Sequence, residues 1–147
     1  MFTISNINKN QMTLKAILIL KPLILIIVFF LQDSSIIFLD ENGVTLKCSP
    51  STNIGQTYVF KGTSYLVVDN ELLKELVAKE ESVENVITTF VTDMSYLFYQ
   101  NKKYNEDLSK WDVSNVTNMT FMFGYAEQFN SDLSHWNTEN VEFFSDM

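Results

Sequence analysis

Residues 91–140 write one 25-residue pattern twice without a slip in register. Val91, Thr92, Asp93, Met94, Ser95, Tyr96, Leu97 and Phe98 align with Val116, Thr117, Asn118, Met119, Thr120, Phe121, Met122 and Phe123. Farther on, the run from Tyr104 to Trp111 aligns with the run from Phe129 to Trp136. A third copy opens at Val141 and reaches Met147, one residue before its expected Phe. A fixed period of this length restricts the fold severely, because one unit cannot bury its apolar face alone and must stack on the next. The units are 91–115, 116–140 and a partial 141–147. The positions that carry the repeat are Met94, Phe98, Asn105, Asp107, Leu108 and Trp111, then Val116, Met119, Phe123, Asn130, Asp132, Leu133 and Trp136.

Each unit reads as two kinds of segment. Ser114 or Asn115 can cap a short helix in which Val116, Met119 and Phe123 share one apolar stripe. The segment Phe129 to Trp136 reads as extended, with Phe129, Leu133 and Trp136 repeating the places of Tyr104, Leu108 and Trp111. One strand and one helical turn per 25 residues predict an α/β fold, a short leucine-rich-repeat-like solenoid of strand-plus-helix coils. Its core would be ladders of aromatic on aromatic and leucine on leucine.

The segment 36–90 reads as an N-terminal α+β cap for this array, since the first coil otherwise exposes an open end. Ile36–Leu39 and Val44–Lys47 flank Asn42-Gly43, a pair that accepts the positive φ of a tight hairpin turn. Thr57–Phe60 and Thr63–Val68 flank Lys61-Gly62 as a second hairpin, rich in aromatic and β-branched residues. Asp69 or Asn70 can then cap a helix with Leu72, Leu73, Leu76 and Val77 on one face, running to about Glu81.

Residues 1–32 read as an export signal peptide or an N-terminal anchor. A basic start precedes an uninterrupted apolar run, Leu23 to Leu31, whose nine residues span only about 14 Å as a helix against about 30 Å of hydrocarbon. That length favours a cleaved signal over a spanning helix. If uncleaved, residues 16–31 are the one route to a membrane.

At the repeat itself the chain resembles a known group. The phrase from Val116 to Phe123, followed after a gap by that from Phe129 to Trp136, is similar to the repeat of BspA-like leucine-rich-repeat surface proteins, which are exported bacterial proteins related to surface lipoproteins of wall-less bacteria. The stretches Asp40 to Cys48 and Tyr65 to Asp69 are similar to the segment that precedes such arrays. The resemblance implies a secreted or cell-surface protein whose repeats mediate adhesion, without enzymatic activity. This chain departs from the group in its small number of units and in Phe144, which stands where Met94 and Met119 do. Those departures point to a truncated member, whose open last coil would drive self-association.

Charge narrows the partners. From Asp33 onward there are 18 carboxylates against 7 lysines, and no arginine occurs anywhere. Nucleic acid binding draws its affinity from cations on phosphates, so nucleic acid is excluded as a partner. A protein or glycan ligand at the cell surface remains. Cys48 is the lone cysteine, so no intrachain disulfide or multi-cysteine metal site can form. It reads as a small half-buried strand residue.

No catalytic, cofactor or metal constellation appears. Asn105 and Asn130 suit a buried amide ladder that satisfies turn backbone. Asp107 and Asp132 could hold calcium or form a glycosidase pair, yet capping of backbone amides explains them equally. Trp111 and Trp136 could stack on sugars, although their regular recurrence favours core packing. His135, the single histidine, replaces Lys110 and lies outward. The function expected is an adhesion or protein–protein interaction module. The alternative is the N-terminal targeting and binding part of a surface hydrolase acting on glycan or cell-wall substrate.

Overall fold

The computed structural model describes residues 36–147, which form one compact unit. The export or anchor segment, 1–32, lies outside the described residues. Among the described residues no helix is long and apolar enough to cross a membrane.

The described residues begin with two antiparallel hairpins. Strands β1 (Ile37–Leu39) and β2 (Leu46–Cys48) pair with Phe38 opposite Lys47. Their turn holds Gly43 at φ 71°, and the Asn42 carboxamide accepts from the amides of Val44 and Thr45. Strands β3 (Thr57–Phe60) and β4 (Thr63–Val67) meet around Lys61 and Gly62, both at positive φ. A short strand β5 (Val86–Ile87) adds parallel to β4, giving the order β3-β4-β5. The parallel pairing is possible because the intervening segment is a crossover carrying the helix.

That helix, α1 (Asn70–Ala78), starts where the Asp69 carboxylate accepts the Leu72 amide at 2.9 Å. It buries Leu73 and stops short of the expected Glu81. Glu80 adopts φ 57°, and the Glu81 amide turns back to the Leu76 carbonyl, a left-handed termination that satisfies carbonyls at the helix end.

The repeats correct the expected architecture. No leucine-rich-repeat-like solenoid of strand-plus-helix coils forms. The described residues hold small sheets and one nine-residue helix, α1, and neither a helix nor a named strand lies within 91–147. What replaces them is a run of turns with isolated parallel bridges, Asp93 to Asn118 and Asn118 to Phe143. The physical reason is the direction of the amides. A helix needs each N–H bonded to the carbonyl four residues back. Here the amides of Met94, Tyr96, Phe98 and Gln100 donate instead to carbonyls of Asn118, Thr120, Met122 and Gly124 in the following unit. The alternate amides, of Leu97, Tyr99 and Asn101, close four-residue turns on the carbonyls of Met94, Tyr96 and Phe98. Side chains take part as well. Asp93, Asn118, Asp107, Asp132, Asp112 and Asn137 each accept the amide two residues on, which is the Asx turn that competes with helix.

The expected extended segments are likewise irregular, and side chains rather than a strand ladder tie them across units. The Trp111 indole N–H donates to the Val83 carbonyl and that of Trp136 to the Leu108 carbonyl, both at 3.1 Å. The Asn130 amide donates to the Asn105 side chain at 2.8 Å, and the Leu108 amide to the Ser131 hydroxyl. Two apolar clusters result. The larger gathers Leu73, Met94, Phe98, Leu108, Trp111 and Met119 with their neighbours, and the smaller gathers Ile37, Leu46, Cys48, Tyr65, Val67 and Ile87 under the hairpins.

Candidate functional site

The turns that defeat the helix also decide which rings face water. In each unit the apolar residues that follow the Asx turn alternate between the two sides of the chain. Met94 and Phe98 go in, and so do Met119 and Met122. Tyr96 and Tyr99 come out, followed one unit later by Phe121, half-buried, and Tyr125. Tyr96 stacks on Phe121 with ring centres 5.3 Å apart and planes at 19°. Tyr99 stands edge-on to three rings, Tyr96, Phe121 and Tyr125, at 5.5, 5.9 and 5.7 Å. The four make a continuous aromatic ridge on the surface, in which Tyr96 is 55% and Tyr125 65% exposed.

Three features show how the backbone is bent to present it. Tyr96, Phe121 and Tyr125 have φ of 57°, 54° and 60°. The left-handed region costs a bulky L-residue roughly 1–2 kcal/mol, and such strain persists only where surrounding structure over-determines it. Next, Gly124 takes the place that Tyr99 holds one unit earlier, and a Cβ there would lie 3.0 Å from the Tyr99 ring and 3.1 Å from the Phe121 ring. Glycine is what lets the rings close over the chain. Finally, concavities border the ridge. One of about 630 Å³ runs from Tyr99 past Gln100 and Lys103 to Glu80, Glu81 and Glu106. Another lies between Phe121, Tyr125 and Asp146, and a third joins Tyr96 to Lys74 at the side of α1.

The charged rim is fixed by pairs. Lys74 bonds Asp93 at 2.9 Å, and Lys102 bonds Glu127 at 2.7 Å across one repeat. Burial acts to raise the Asp93 carboxyl, but hydrogen bonds from Ser95 and Lys74 outweigh it and hold its pKa below the usual value. Glu106 accepts from the Ser82 hydroxyl and the Val83 amide, which anchors the groove wall. Beneath it Tyr104 stacks on Phe98 and Phe129, and burial, then Glu106 and Glu84, push its hydroxyl well above the ordinary tyrosine range.

The repeat positions marked in the sequence lie elsewhere. Met94, Phe98, Leu108, Trp111, Val116 and Met119 are buried, while Phe123, Leu133 and Trp136 are partly buried against the same cluster. Trp111 and Trp136 stack with centres 6.4 Å apart and planes at 6°. Asn105 and Asn130 are bonded to each other's unit but exposed, so the expected buried amide ladder is corrected to a surface one. It lies outward because Leu108 and Trp111, not the turn, fill the interior. Asp107 and Asp132 accept the amides of Ser109 and Ser134, whose hydrogen bonds lower both pKa values. Among the described residues no group of three or more histidine, cysteine or acidic side chains is placed to hold a metal ion. Cys48 is fully buried rather than half-buried. Sequence reasoning passes over the ridge itself. The one sign of it is an aromatic between two core positions in both units, Tyr96 and Phe121, where an inward stripe would have left a polar residue.

A family model described as "Mycoplasma protein of unknown function, DUF285" matches residues 70–147, more than half of the chain. The match takes in α1, both full repeat units and the third. No curated protein and no solved structure matches.

Proposed function

We propose, since this chain belongs to the DUF285 family of Mycoplasma proteins, that it works outside the cytoplasm as a surface-displayed binding module, adhesive rather than catalytic. The observation that carries the reading is the aromatic ridge. Soluble proteins seldom keep several large rings on the surface in one contiguous patch unless something covers them. This one additionally holds three of its four residues in left-handed backbone. Gln100 and Asp146, at the equivalent repeat positions, share this conformation, so it belongs to the turn of each unit, and that turn is what sets the rings outward. The basic start and apolar run of residues 1–32 support export. The resemblance to BspA-like surface proteins supports adhesion. The hydrolase alternative gains no comparable support. As a glycosidase pair within this chain, Asp107 and Asp132 are both held below the ordinary carboxylate range by hydrogen bonds from Ser109 and Ser134, whereas a general acid needs a raised pKa.

Two measurements test the proposal. Intact cells producing the full chain are treated with a membrane-impermeant amine reagent. Labelling comparable to that of lysed cells is expected, and labelling only after lysis would overturn surface display. Beads coated with the full chain are then passed over arrays of immobilised proteins and glycans, beside a Tyr96→Ser, Tyr99→Ser, Tyr125→Ser variant. Retention on some array members that the variant loses is expected. Equal retention of both would overturn the ridge as the binding surface.

A further inference from the structure

We propose that the occupant of the ridge is a basic polypeptide segment, whose arginine or lysine side chains lie across the exposed rings of Tyr96 and Tyr125. The inference rests on the binding-module reading and adds the partner's chemistry to it. Charge complementarity decides the class. The chain from Asp33 onward carries 18 carboxylates against 7 lysines, so any long-range field it presents draws cations and repels anionic polymers. Near the ridge the same imbalance is local. Glu80, Glu81 and Glu106 line the groove beside Tyr99, and Asp146 lines the hollow beside Phe121 and Tyr125. Two of the lysines there are already neutralised, Lys74 by Asp93 and Lys102 by Glu127. Lys103 is the one groove cation without an ion pair among the described residues.

Ring faces carry negative potential, and a cation within about 6 Å of a ring centre is attracted to it. Tyr96, stacked nearly parallel on Phe121, is itself 55% exposed. Tyr125 is the most exposed ring of the four. A guanidinium laid on Tyr125 or Tyr96 keeps its stem on apolar surface, and Tyr99, which meets both rings edge-on, also lines the groove of Glu80, Glu81 and Glu106, so a segment crossing the rings runs on toward those carboxylates. Ring and carboxylate thus act on the same ligand. The acidic rim by itself would hold any cation; the rings add the demand for a flat or weakly hydrated one, which favours arginine over lysine.

The test uses the full chain and four soluble probes: an alternating Arg-Ser peptide, its Lys-Ser and Glu-Ser counterparts, and a neutral oligosaccharide. Binding is followed calorimetrically at low and high salt, and thermal unfolding checks that each variant is folded. The Arg-Ser peptide is expected to bind best and to weaken with salt. Tyr96→Leu and Tyr125→Leu, which keep bulk and net charge, are each expected to weaken it by about two- to fivefold. Gly124→Ala, whose Cβ would meet the Tyr99 and Phe121 rings at 3.0 and 3.1 Å and make them shift without removing either, is expected to weaken it as well. Peptide binding indifferent to all three substitutions is bulk electrostatics and overturns the proposal. Ring-dependent binding of the oligosaccharide without the peptide overturns it too, while leaving the binding-module reading intact. No ring-dependent binding of any probe, together with array retention unaffected by the ridge, overturns both.

Discussion

The two tryptophans make corresponding hydrogen bonds in consecutive units but at different depths and to differently partnered carbonyls, so one substitution made twice measures what those surroundings contribute. Trp111 is 1% exposed and its indole N–H meets the Val83 carbonyl in a buried bond of 3.1 Å. In Trp111→Phe that carbonyl loses its partner where water cannot replace it, a cost of about 1–3 kcal/mol. The smaller ring leaves a gap beside Phe98, adding roughly 1–2 kcal/mol, a part of the 3–5 typical when a whole aromatic side chain is removed. Trp136 makes the equivalent bond to the Leu108 carbonyl, again at 3.1 Å, but is only partly buried. There the Leu108 carbonyl keeps the Trp111 amide as a partner and solvent takes over part of the lost interaction, so Trp136→Phe is expected to cost about 0.5–1.5 kcal/mol. Calorimetric melts of the full chain should therefore show Trp111→Phe lowering Tm by about 10 °C or more and Trp136→Phe by about 5 °C or less, taking roughly 4 °C per kcal/mol for a domain of this size. Equal shifts in the two variants would refute the reasoning, since neither burial nor the second donor at the Leu108 carbonyl would then set what the inter-unit bond contributes.

Other outcomes follow from the charges. Asp112 is a buried carboxylate whose Oδ1 accepts from Ser114 and lies 3.9 Å from the Lys47 ammonium, while its Oδ2 has no partner. Asp112→Asn keeps the Ser114 bonds and is expected to change stability by less than about 1 kcal/mol, whereas Lys47→Met strands the buried charge and is expected to cost about 3 kcal/mol, measured by urea unfolding. Acid should weaken the fold in a defined window. Hydrogen bonds from Lys47, from Ser109 and from Ser134 hold Asp40, Asp107 and Asp132 below their ordinary values, and Asp93 is lowered despite its burial. A depressed folded pKa gives stability that is full above the unfolded value of about 3.9 and lost as pH falls through the folded values. Tm should thus be level from neutral pH to about 5 and fall below about 4. A Tm that stays level to pH 2 would show that these carboxylates contribute nothing.

Local chemistry alone makes much of this chain legible. The Asn42-Gly43 and Lys61-Gly62 turns follow from which residues accept positive φ, and both hairpins form around them. The Asp69 cap follows from one carboxylate meeting one free amide, and α1 starts there. The period in 91–147 tells which residues correspond, Trp111 with Trp136 and Asn105 with Asn130, and each such pair meets across units. What the period does not tell is where the backbone amides go. A stripe of Val116, Met119 and Phe123 suits a helix, but so does any chain that buries every third or fourth residue. The choice is made by a neighbouring unit that offers its carbonyls to Met94, Tyr96 and Phe98, and by left-handed turns at Tyr96 and Phe121 that no propensity scale assigns to aromatic residues. Those turns leave Val116 and Met119 inward and bring Tyr96, Tyr99, Phe121 and Tyr125 together at the surface. The composition of the candidate site is therefore present in the sequence, but its existence as a surface depends on hydrogen bonds between residues some 25 positions apart, a distance along the chain at which only tertiary contact decides.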